Sequence, residues 1–366
     1  MTISFPKKID AYIMKKFIFT FFIALLLIIG IVIIFDISEK IDDFVSKHAP
    51  LQSIIFDYYL NFIPYFMNMF SPLFVFITVI FFTSRMAANS EIIAILSCGV
   101  SFHRMMVPYI VSAALISLLS LGLNLWIIPR ANVHRNEFES KYIRHHNNQT
   151  ADRDVHYQIS PGQFVSVESF SKWSNTAHKF SLETIEGNRM VSKLYAESAV
   201  WDSTAGAWKL KKYFIRDFVD GSIHDRIRIG EKKDTVINLT VEDFHRRQDA
   251  VENLTYPELN DFIKVQKMRG DGNVKVSLIE KHTRLALPIS AFILTIIGVA
   301  LSSRKKRGGI GWNLAIGIAL SFSYILFQRF SQMFVYTGAL PPAFAIWLPN
   351  MIYAVIAAFL YRIAPK

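Results

Sequence analysis

Long apolar runs alternate with polar segments along this chain, and six of the runs are long enough to cross a membrane. A helix needs about 20 apolar residues to span a hydrocarbon core of about 30 Å. Irregular backbone leaves polar groups unsatisfied in lipid, so each run predicts a helix. The runs cover residues 17–35, 58–82, 107–128, 285–301, 310–327 and 344–360.

The polar stretch between the third and fourth runs has the short alternating segments that are typical of β-strands. The segments "DVHYQIS", "QFVSVESF" and "HKFSLETI" each predict one strand. The longer segment "KLYAESAVWDSTAGAWKLKKYFIRDF" predicts two strands joined by a Ser-Thr-Ala-Gly turn, and further strands run to "DTVINL". Several short strands with regular turns predict a sandwich or jelly-roll-like domain.

A helix is predicted between this β domain and the fourth run. Thr255 and Glu258 form a capping box, Pro257 lies in the first turn, and Gly270 and Gly272 predict the end. The predicted fold is therefore an α-helical transmembrane protein with six spans and an inserted periplasmic all-β jelly-roll-like domain. Its expected parts are residues 1–130 with spans one to three, 131–254 with the β domain, 255–276 with the connecting helix, and 277–366 with spans four to six.

The composition agrees with a membrane protein. Of the 366 residues, 52% are hydrophobic and only 19% are charged, whereas a soluble domain carries about 25% charged residues. The net charge is +11, but the basic residues cluster beside apolar runs. Lipid headgroups and topology explain such clusters better than nucleic acid does. The single cysteine, Cys98, excludes an intramolecular disulfide.

Basic residues near the ends of the spans predict the orientation in the membrane. Cytoplasmic segments carry the excess of Lys and Arg. Bases precede span one, flank the loop between spans two and three, fill residues 304–307, and follow span six. All these segments fall on one side if the chain alternates across the bilayer, so both termini are predicted to be cytoplasmic in an inner membrane.

Motifs of nucleotide-using and metal-using enzymes are missing from the sequence. It contains no GxxxxGK[ST] loop, no GxGxxG after a predicted strand, and no Cys or His cluster with metal-ligand spacing. The chain is therefore predicted to be non-catalytic, with no cofactor and no bound metal.

The loop between spans two and three, "RMAANSEIIAILSCGVSFHRM", predicts a short amphipathic helix over residues 89–99. Asn89 and Ser90 give a capping signal, and Glu91 lies in the first turn, where the helix dipole favours an acid. An apolar face and a terminating glycine follow: Ile92, Ile95, Leu96 and Gly99. Such a helix either rests on lipid or docks in a groove of a cytoplasmic partner, and the spacing alone leaves both interpretations open.

Four basic residues in or beside the spans are candidates for binding lipid. Arg329 lies late in span five, where a charge inside the membrane is a functional hypothesis by default. The alternative is that its long side chain reaches the outer interface. Lys281 and Arg284 precede span four, and Lys40 follows span one. These three are candidates for contacting anionic headgroups or for serving as ordinary interfacial anchors.

Several motifs resemble the LptF/LptG permeases of lipopolysaccharide export. These motifs are "KKIDAYIMKKF", "RMAANSEIIAILSCGVSFHRM", "WIIPRAN", "NLTYPELNDFIKVQKMRGDG" and "VYTGALPPAFAIWLPN". They occur in the family's order over nearly the whole chain. The first motif and "VYTGALPP" are more similar to LptG than to LptF.

The resemblance implies a role and a set of partners. The chain would form a heterodimer with an LptF-like paralogue, driven by an LptB-like ATPase dimer that binds the Glu91 helix. Lipopolysaccharide would pass from the inner membrane through the β domains to LptC-like and LptA-like proteins. The family places bases near the outer end of span one, where this chain reads "IVIIFDISEK" with Lys40 as the nearby base.

Two other classes of protein remain as alternatives to this one. A different lipid or lipoprotein exporter would use a similar coupling helix, but lipoprotein-releasing permeases usually place the large domain after the first of four spans. A membrane scaffold with a periplasmic binding domain would need no coupling helix and would leave a partner ATPase unaffected.

Overall fold

A computed structural model gives the fold of residues 8–143, 152–171, 173–187, 189–218, 225–237, 239–241, 244, 250–271, 273–303 and 309–364. The basic segment 304–307 and Gly272 lie outside these described residues. Within them the helices are α1 (Lys8–Ser46), α2 (Leu51–Ala88), α3 (Glu91–Ser97), α4 (Phe102–Tyr142), α5 (Ala250–Asn253), α6 (Tyr256–Arg269), α7 (Val274–Ser302), α8 (Gly309–Tyr336) and α9 (Pro342–Ile363). The strands are β1 (Asp152–Ser160), β2 (Gln163–Ser171), β3 (Thr176–Glu186), β4 (Arg189–Asp202), β5 (Ala207–Asp217) and β6 (Arg226–Thr235).

The chain forms two compact units. A membrane unit contains the long helices together with residues 253–256, and an inserted unit contains the six strands and most of α6. Helices α1, α2, α4, α7, α8 and α9 are long and apolar enough to cross a membrane, so the six predicted spans are confirmed. The β-strands lie between α4 and α7 in the chain, which confirms the inserted all-β domain.

Helix α4 is longer than the apolar pattern predicts. The polar segment was expected to begin near Pro129, but the helix continues to Tyr142. A π-helical turn over Leu123–Ile127 ends two positions before the proline. Proline lacks an N–H group and collides with the carbonyl four residues earlier, which here belongs to Leu125. The wider π turn accommodates both effects and lets the helix continue beyond the apolar run.

Helix α2 is the common packing surface of the membrane unit. Val75, Val79 and Phe82 belong to a buried cluster with α1 and α4, whereas Phe76 and Ile80 belong to another with α7, α8 and α9. Two glycines bring the second group of spans close to α2. A Cβ atom on Gly298 would lie 2.9 Å from Val79 Cγ1, and one on Gly317 would collide with Ile80. Small residues permit this close approach of membrane helices.

Buried polar side chains also join α2 to α4. Asn68 Nδ2 donates to Asn124 Oδ1 at 2.8 Å, and Ser120 Oγ donates to Asn68 Oδ1 at 2.6 Å. All three residues are buried. Such hydrogen bonds between spans contribute on the order of 0.6 to 2 kcal/mol each, so they fix the pairing of the two helices.

The strands of the inserted unit form one antiparallel sheet in sequential order, β1-β2-β3-β4-β5-β6. The predicted β4–β5 hairpin is confirmed, with Trp201 opposite Trp208 and Asp202 opposite Ala207. Its turn is held by Asp202, whose Oδ1 accepts from the Thr204 N–H at 2.9 Å and whose Oδ2 pairs with Lys209 Nζ at 2.5 Å. These contacts, led by the Lys209 hydrogen bond, hold the pKa of the Asp202 carboxyl well below its usual value.

One face of the sheet carries the core of the inserted unit. Phe170, Phe180 and Trp208 are fully buried there. Phe244 stacks on Phe170 with 4.2 Å between ring centroids, and Trp208 Nε1 donates to the Leu239 carbonyl at 2.8 Å. The segment after β6 therefore covers the apolar face. Among the described strands, each one pairs with its neighbours in the chain, and the jelly-roll-like expectation is refined to an up-and-down sheet with a covered face.

The connecting helix α6 ends at Arg269, directly before Gly270, where the sequence predicts its end. Gly270 has φ +66°, a left-handed conformation that terminates helices. The chain then turns into α7, and the corner is held by Gln266, whose Oε1 accepts from Ser277 Oγ at 2.6 Å. Gln266 and Ser277 are both buried, so this corner is well defined.

The packing on α2 predicts that leucine substitutions at two glycines in the spans have different effects on stability. Gly298→Leu should lower the thermal unfolding midpoint of the chain in detergent, because overpacking a filled interface costs about 1–3 kcal/mol. Gly30→Leu in α1 is the control, since a Cβ atom there meets nothing within 4 Å. Equal midpoints for the two variants would contradict the assignment of α2 as the packing surface.

Candidate functional site

The predicted amphipathic helix is present as α3, and two side chains donate hydrogen bonds to its first residue, Glu91. Glu91 accepts hydrogen bonds from Tyr12 Oη at 3.2 Å and from Asn89 Nδ2 at 3.1 Å. Ser90 occupies the N-cap position with φ 64°, but its side chain makes no capping hydrogen bond. Asn89 therefore acts at the start of the helix by donating a hydrogen bond to the Glu91 side chain. Gly99, with φ +80°, follows the end of the helix as predicted.

The apolar face of α3 points into the protein. Ile92 is 1% exposed, and Ile95 and Leu96 are partly buried against the same cluster as α1, α2 and α4. Ile93, which is not part of the predicted apolar face, is 51% exposed. Ala94 is also exposed. Ile92, Ile95 and Leu96 therefore hold the helix against the membrane unit, and Ile93 and Ala94 lie on its outward surface.

A buried ion pair fastens the start of α1 to the start of α4. Arg104 donates to Asp10 through both terminal nitrogens, Nη1 to Oδ1 at 2.6 Å and Nη2 to Oδ2 at 2.5 Å. The Asp10 side chain is 3% exposed. Sequence reasoning missed this pair, because its members are 94 positions apart. The available signal was one acid among the bases that precede the first span.

Two further contacts complete this side of the membrane unit. Lys16 Nζ donates to Tyr12 Oη at 2.7 Å, which connects it to the acceptor Glu91 through the same hydroxyl. The hydroxyl of Tyr361, near the end of α9, is hydrogen-bonded to Nδ1 of His103 in α4. The first residues of α1, helix α3, the start of α4 and the end of α9 thus form one connected layer, which we call the terminal layer.

Lys40 is enclosed in a polar cluster near the other end of α1. Its Nζ lies 2.6 Å from Asp36 Oδ1, is hydrogen-bonded to Tyr58 Oη, and is 4.9 Å from the centroid of the Tyr58 ring. Tyr59 Oη donates to Asp36 Oδ2 at 3.0 Å. The charge of Lys40 is therefore compensated inside the chain, and the cluster joins α1 to α2.

Arg284 is also paired within the chain. Its side chain is 3% exposed, and Nε donates to Glu280 Oε1 at 2.7 Å. Nη1 donates to the Leu254 carbonyl at 2.6 Å. The neighbouring Lys281 is half-buried and makes no hydrogen bond or ion pair with any described residue. The two candidate bases before span four therefore lie in different environments.

Arg329 differs from the other candidates. It is exposed on α8 and makes no hydrogen bond or ion pair within the described part of the chain. It lies seven residues before Tyr336, the last residue of α8, or about 10 Å along the helix axis. Its neighbours Leu326, Phe330 and Met333 are exposed and apolar. An unpaired cation thus lies in an apolar helix face of a candidate span.

Six candidate spans that flank an inserted β unit in the chain give the fold of a multi-pass membrane protein. Residues 11–363 match the family of the lipopolysaccharide export system permease LptF/LptG. The match covers nearly the whole chain, so the chain belongs to this family. The match describes the two paralogues together. A comparison with curated proteins gave no match.

The buried Asp10–Arg104 pair predicts a measurable loss of stability. Asp10→Asn should lower the stability of the chain, because Arg104 loses the counter-charge of a carboxylate that is 3% exposed. The midpoint of thermal unfolding in detergent should fall by several degrees. Lys264→Ala is the control, since the Lys264–Asp261 pair is exposed and contributes at most about 1 kcal/mol. Equal shifts for both variants would show that the buried pair carries no extra stability.

Proposed function

We propose that this chain is the membrane subunit of an exporter that extracts lipopolysaccharide from the inner membrane and is driven by an ATPase docked on α3. The observation that carries the proposal is the seating of α3. One face is buried in the membrane unit, while Ile93 and Ala94 face outward on a helix that the chain holds rigidly. A small exposed apolar surface on a fixed helix suits insertion into a groove of a partner.

The terminal layer would transmit movement of the ATPase into the spans. Glu91 connects α3 to α1 through Tyr12, and Asp10 connects α1 to α4 through Arg104. Ile92 packs α3 against the interior of the spans. A displacement of α3 would therefore move the starts of α1 and α4 with it. This supports the docking interpretation over a helix that simply rests on lipid.

The subunit is proposed to be non-catalytic, with ATP hydrolysis in an LptB-like ATPase dimer. The terminal layer then faces the cytoplasm, as do both chain termini. The charge pattern supports this orientation, since bases cluster at that end of the spans. Transfer of the lipid onward would use LptC-like and LptA-like periplasmic proteins.

An LptF-like paralogue is the proposed partner within the membrane. The least buried span is α1, and α8 is also largely uncovered. Their outward faces carry large apolar side chains, which lipid or a second subunit would cover: Phe19, Ile23, Leu26, Leu27, Ile31, Ile34 and Phe35 on α1, and Phe322, Leu326, Phe330, Met333 and Phe334 on α8. A space between two such subunits would shelter acyl chains, whose exposure to water costs about 0.8 kcal/mol per CH₂ group.

The docking proposal predicts that α3 variants lose the ATPase. Glu91→Ala should weaken co-purification with an LptB-like ATPase about tenfold, because a loss near 1.4 kcal/mol follows when the helix is no longer held in place. Ile93→Asp should abolish co-purification, since it introduces a charge at the docking surface. The measurement is pull-down of the detergent-solubilised or nanodisc-embedded complex.

Matched controls and a labelling experiment make this prediction specific. Asp261→Ala and Ile229→Asp change an exposed acid and an exposed apolar residue in the inserted unit, and they should leave the ATPase bound. The single, exposed Cys98 follows α3, so maleimide labelling should slow at least fivefold when the ATPase is added. The proposal fails if no ATPase is recovered with the wild-type chain, or if Cys98 reacts equally fast in both conditions.

The position of Arg329 predicts a defect in transport alone. Arg329→Ala should lower lipid extraction in reconstituted vesicles several-fold without reducing assembly, because a cation in an apolar face needs an anion such as a lipid phosphate. Arg329→Lys should restore much of the activity, since a single positive charge suffices for that contact. Unchanged extraction by Arg329→Ala would instead favour a side chain that only reaches the outer interface.

A further inference from the structure

The chain re-enters the membrane unit through a short segment, residues 253–256, which we call the return segment. It follows α5 and leads into α6. The return segment belongs to the same compact unit as α4 and as α7 from residue 278 onward. Among the described residues that follow the strands, it is the first stretch that belongs to the membrane unit.

Arg284 binds the return segment with its charge already compensated. The guanidinium uses one edge for Glu280, one helical turn earlier on α7, and a terminal nitrogen for the Leu254 carbonyl. With 3% of the side chain exposed, the guanidinium is closed to large ligands. Burying an arginine is favourable only when its hydrogen bonds are satisfied, and here the carboxylate and the carbonyl provide them.

The return segment is held from α4 as well. Asn136 Nδ2 donates to Asn253 Oδ1 at 2.9 Å. Asn136 lies in the last part of α4, which leads the chain towards the strands, and Asn253 ends α5. The return segment is therefore attached to the helix before the inserted unit and to the helix after it.

We propose that Arg284, Glu280 and Leu254 form a clasp that passes movement of α7 to the return segment and so to the start of α6. Arg284 is then a positioning residue in lipid delivery and does not contact lipid. The proposal rests on the export function proposed above, because delivery of the lipid is the step that it affects. Each ATP-driven displacement of α7 would be carried by the clasp and lost without it.

A clasp and a phosphate-binding site predict opposite effects when the Glu280 carboxylate is removed. In a clasp, Glu280 fixes the guanidinium so that Nη1 meets the Leu254 carbonyl, and loss of either side chain has the same effect. In a site for a lipid phosphate, the carboxylate competes with the phosphate, and removing it strengthens binding. The two interpretations also differ for lysine, whose single ammonium group supplies the charge but cannot reproduce both hydrogen bonds in the same planar geometry.

The test uses the whole complex in proteoliposomes, with lipopolysaccharide as the probe and a periplasmic acceptor protein in solution. Arg284→Gln, Arg284→Lys, Glu280→Gln and Glu280→Asp should each lower delivery to the acceptor at least fivefold. ATP hydrolysis and the yield of assembled complex should stay within twofold of wild type. The double variant Arg284→Gln/Glu280→Gln should be no worse than either single one, as expected for partners in one contact. Lys275→Gln removes an exposed base near the start of α7 and serves as the control.

Three outcomes would overturn the clasp. Full delivery by Arg284→Lys, or raised delivery by Glu280→Gln, would assign Arg284 to a phosphate site. A fall in assembly and ATP hydrolysis parallel to the fall in delivery would assign it to folding alone. If the wild-type complex itself delivers no lipid, the export function fails instead, and this result is separate from every variant outcome.

Discussion

Close packing on α2 is the constraint on which the membrane unit depends. Hydrophobic burial gives little reason for helices to associate in lipid, so contact must come from shape and from hydrogen bonds. Helix α2 provides both, with Val79 against Gly298, Ile80 against Gly317, and Asn68 bonded to α4. The first and last groups of spans thus share one helix, although the inserted unit separates them in the chain. The two groups of spans accordingly form one compact unit despite the insertion between them.

Helix α1 is attached at its two ends, and between them it buries one face in the membrane unit and exposes the other. The Asp10–Arg104 pair and the Tyr12–Glu91 hydrogen bond hold one end, and the cluster of Asp36, Lys40 and the two tyrosines holds the other. Buried or half-buried ion pairs are specific in geometry, since a misplaced charge is costly in a dry site. These pairs place α1 in a defined position and leave its exposed face available to lipid or a second subunit.

The sequence was informative wherever a contact is local. Apolar runs predicted the six spans, and alternation with a polar turn predicted the β4–β5 hairpin. The pairs Asp36–Lys40 and Glu280–Arg284 are both spaced by four positions on helices, so their partners were within reach of sequence reasoning. The sequence analysis instead left each base as a candidate for headgroup contact or for an interfacial anchor, and it did not predict the acid one helical turn away as the partner.

Contacts between segments that are distant in the sequence could not be predicted from it. Arg104 finds Asp10 across 94 positions, and nothing in either local pattern connects them. The apolar stripe of α3 predicted the helix and its face of Ile92, Ile95 and Leu96, but not that this face packs inside the same chain. Only the position of α3 against the other helices decides that Ile92 is buried and Ile93 exposed. The continuation of α4 past Pro129 likewise depends on a π turn, a backbone feature with no clear sequence signal.

The length of α4 has a consequence for the path out of the bilayer. Its 41 residues extend for about 60 Å, twice the thickness of a hydrocarbon core. Phe138, in its last part, joins Phe44, Tyr58, Tyr59 and Phe62 in a buried aromatic cluster. Helices α1, α2 and α4 therefore share an aromatic core in the part of α4 that follows its apolar run. The helical residues that follow the apolar run of α4 therefore precede the first strand in the chain.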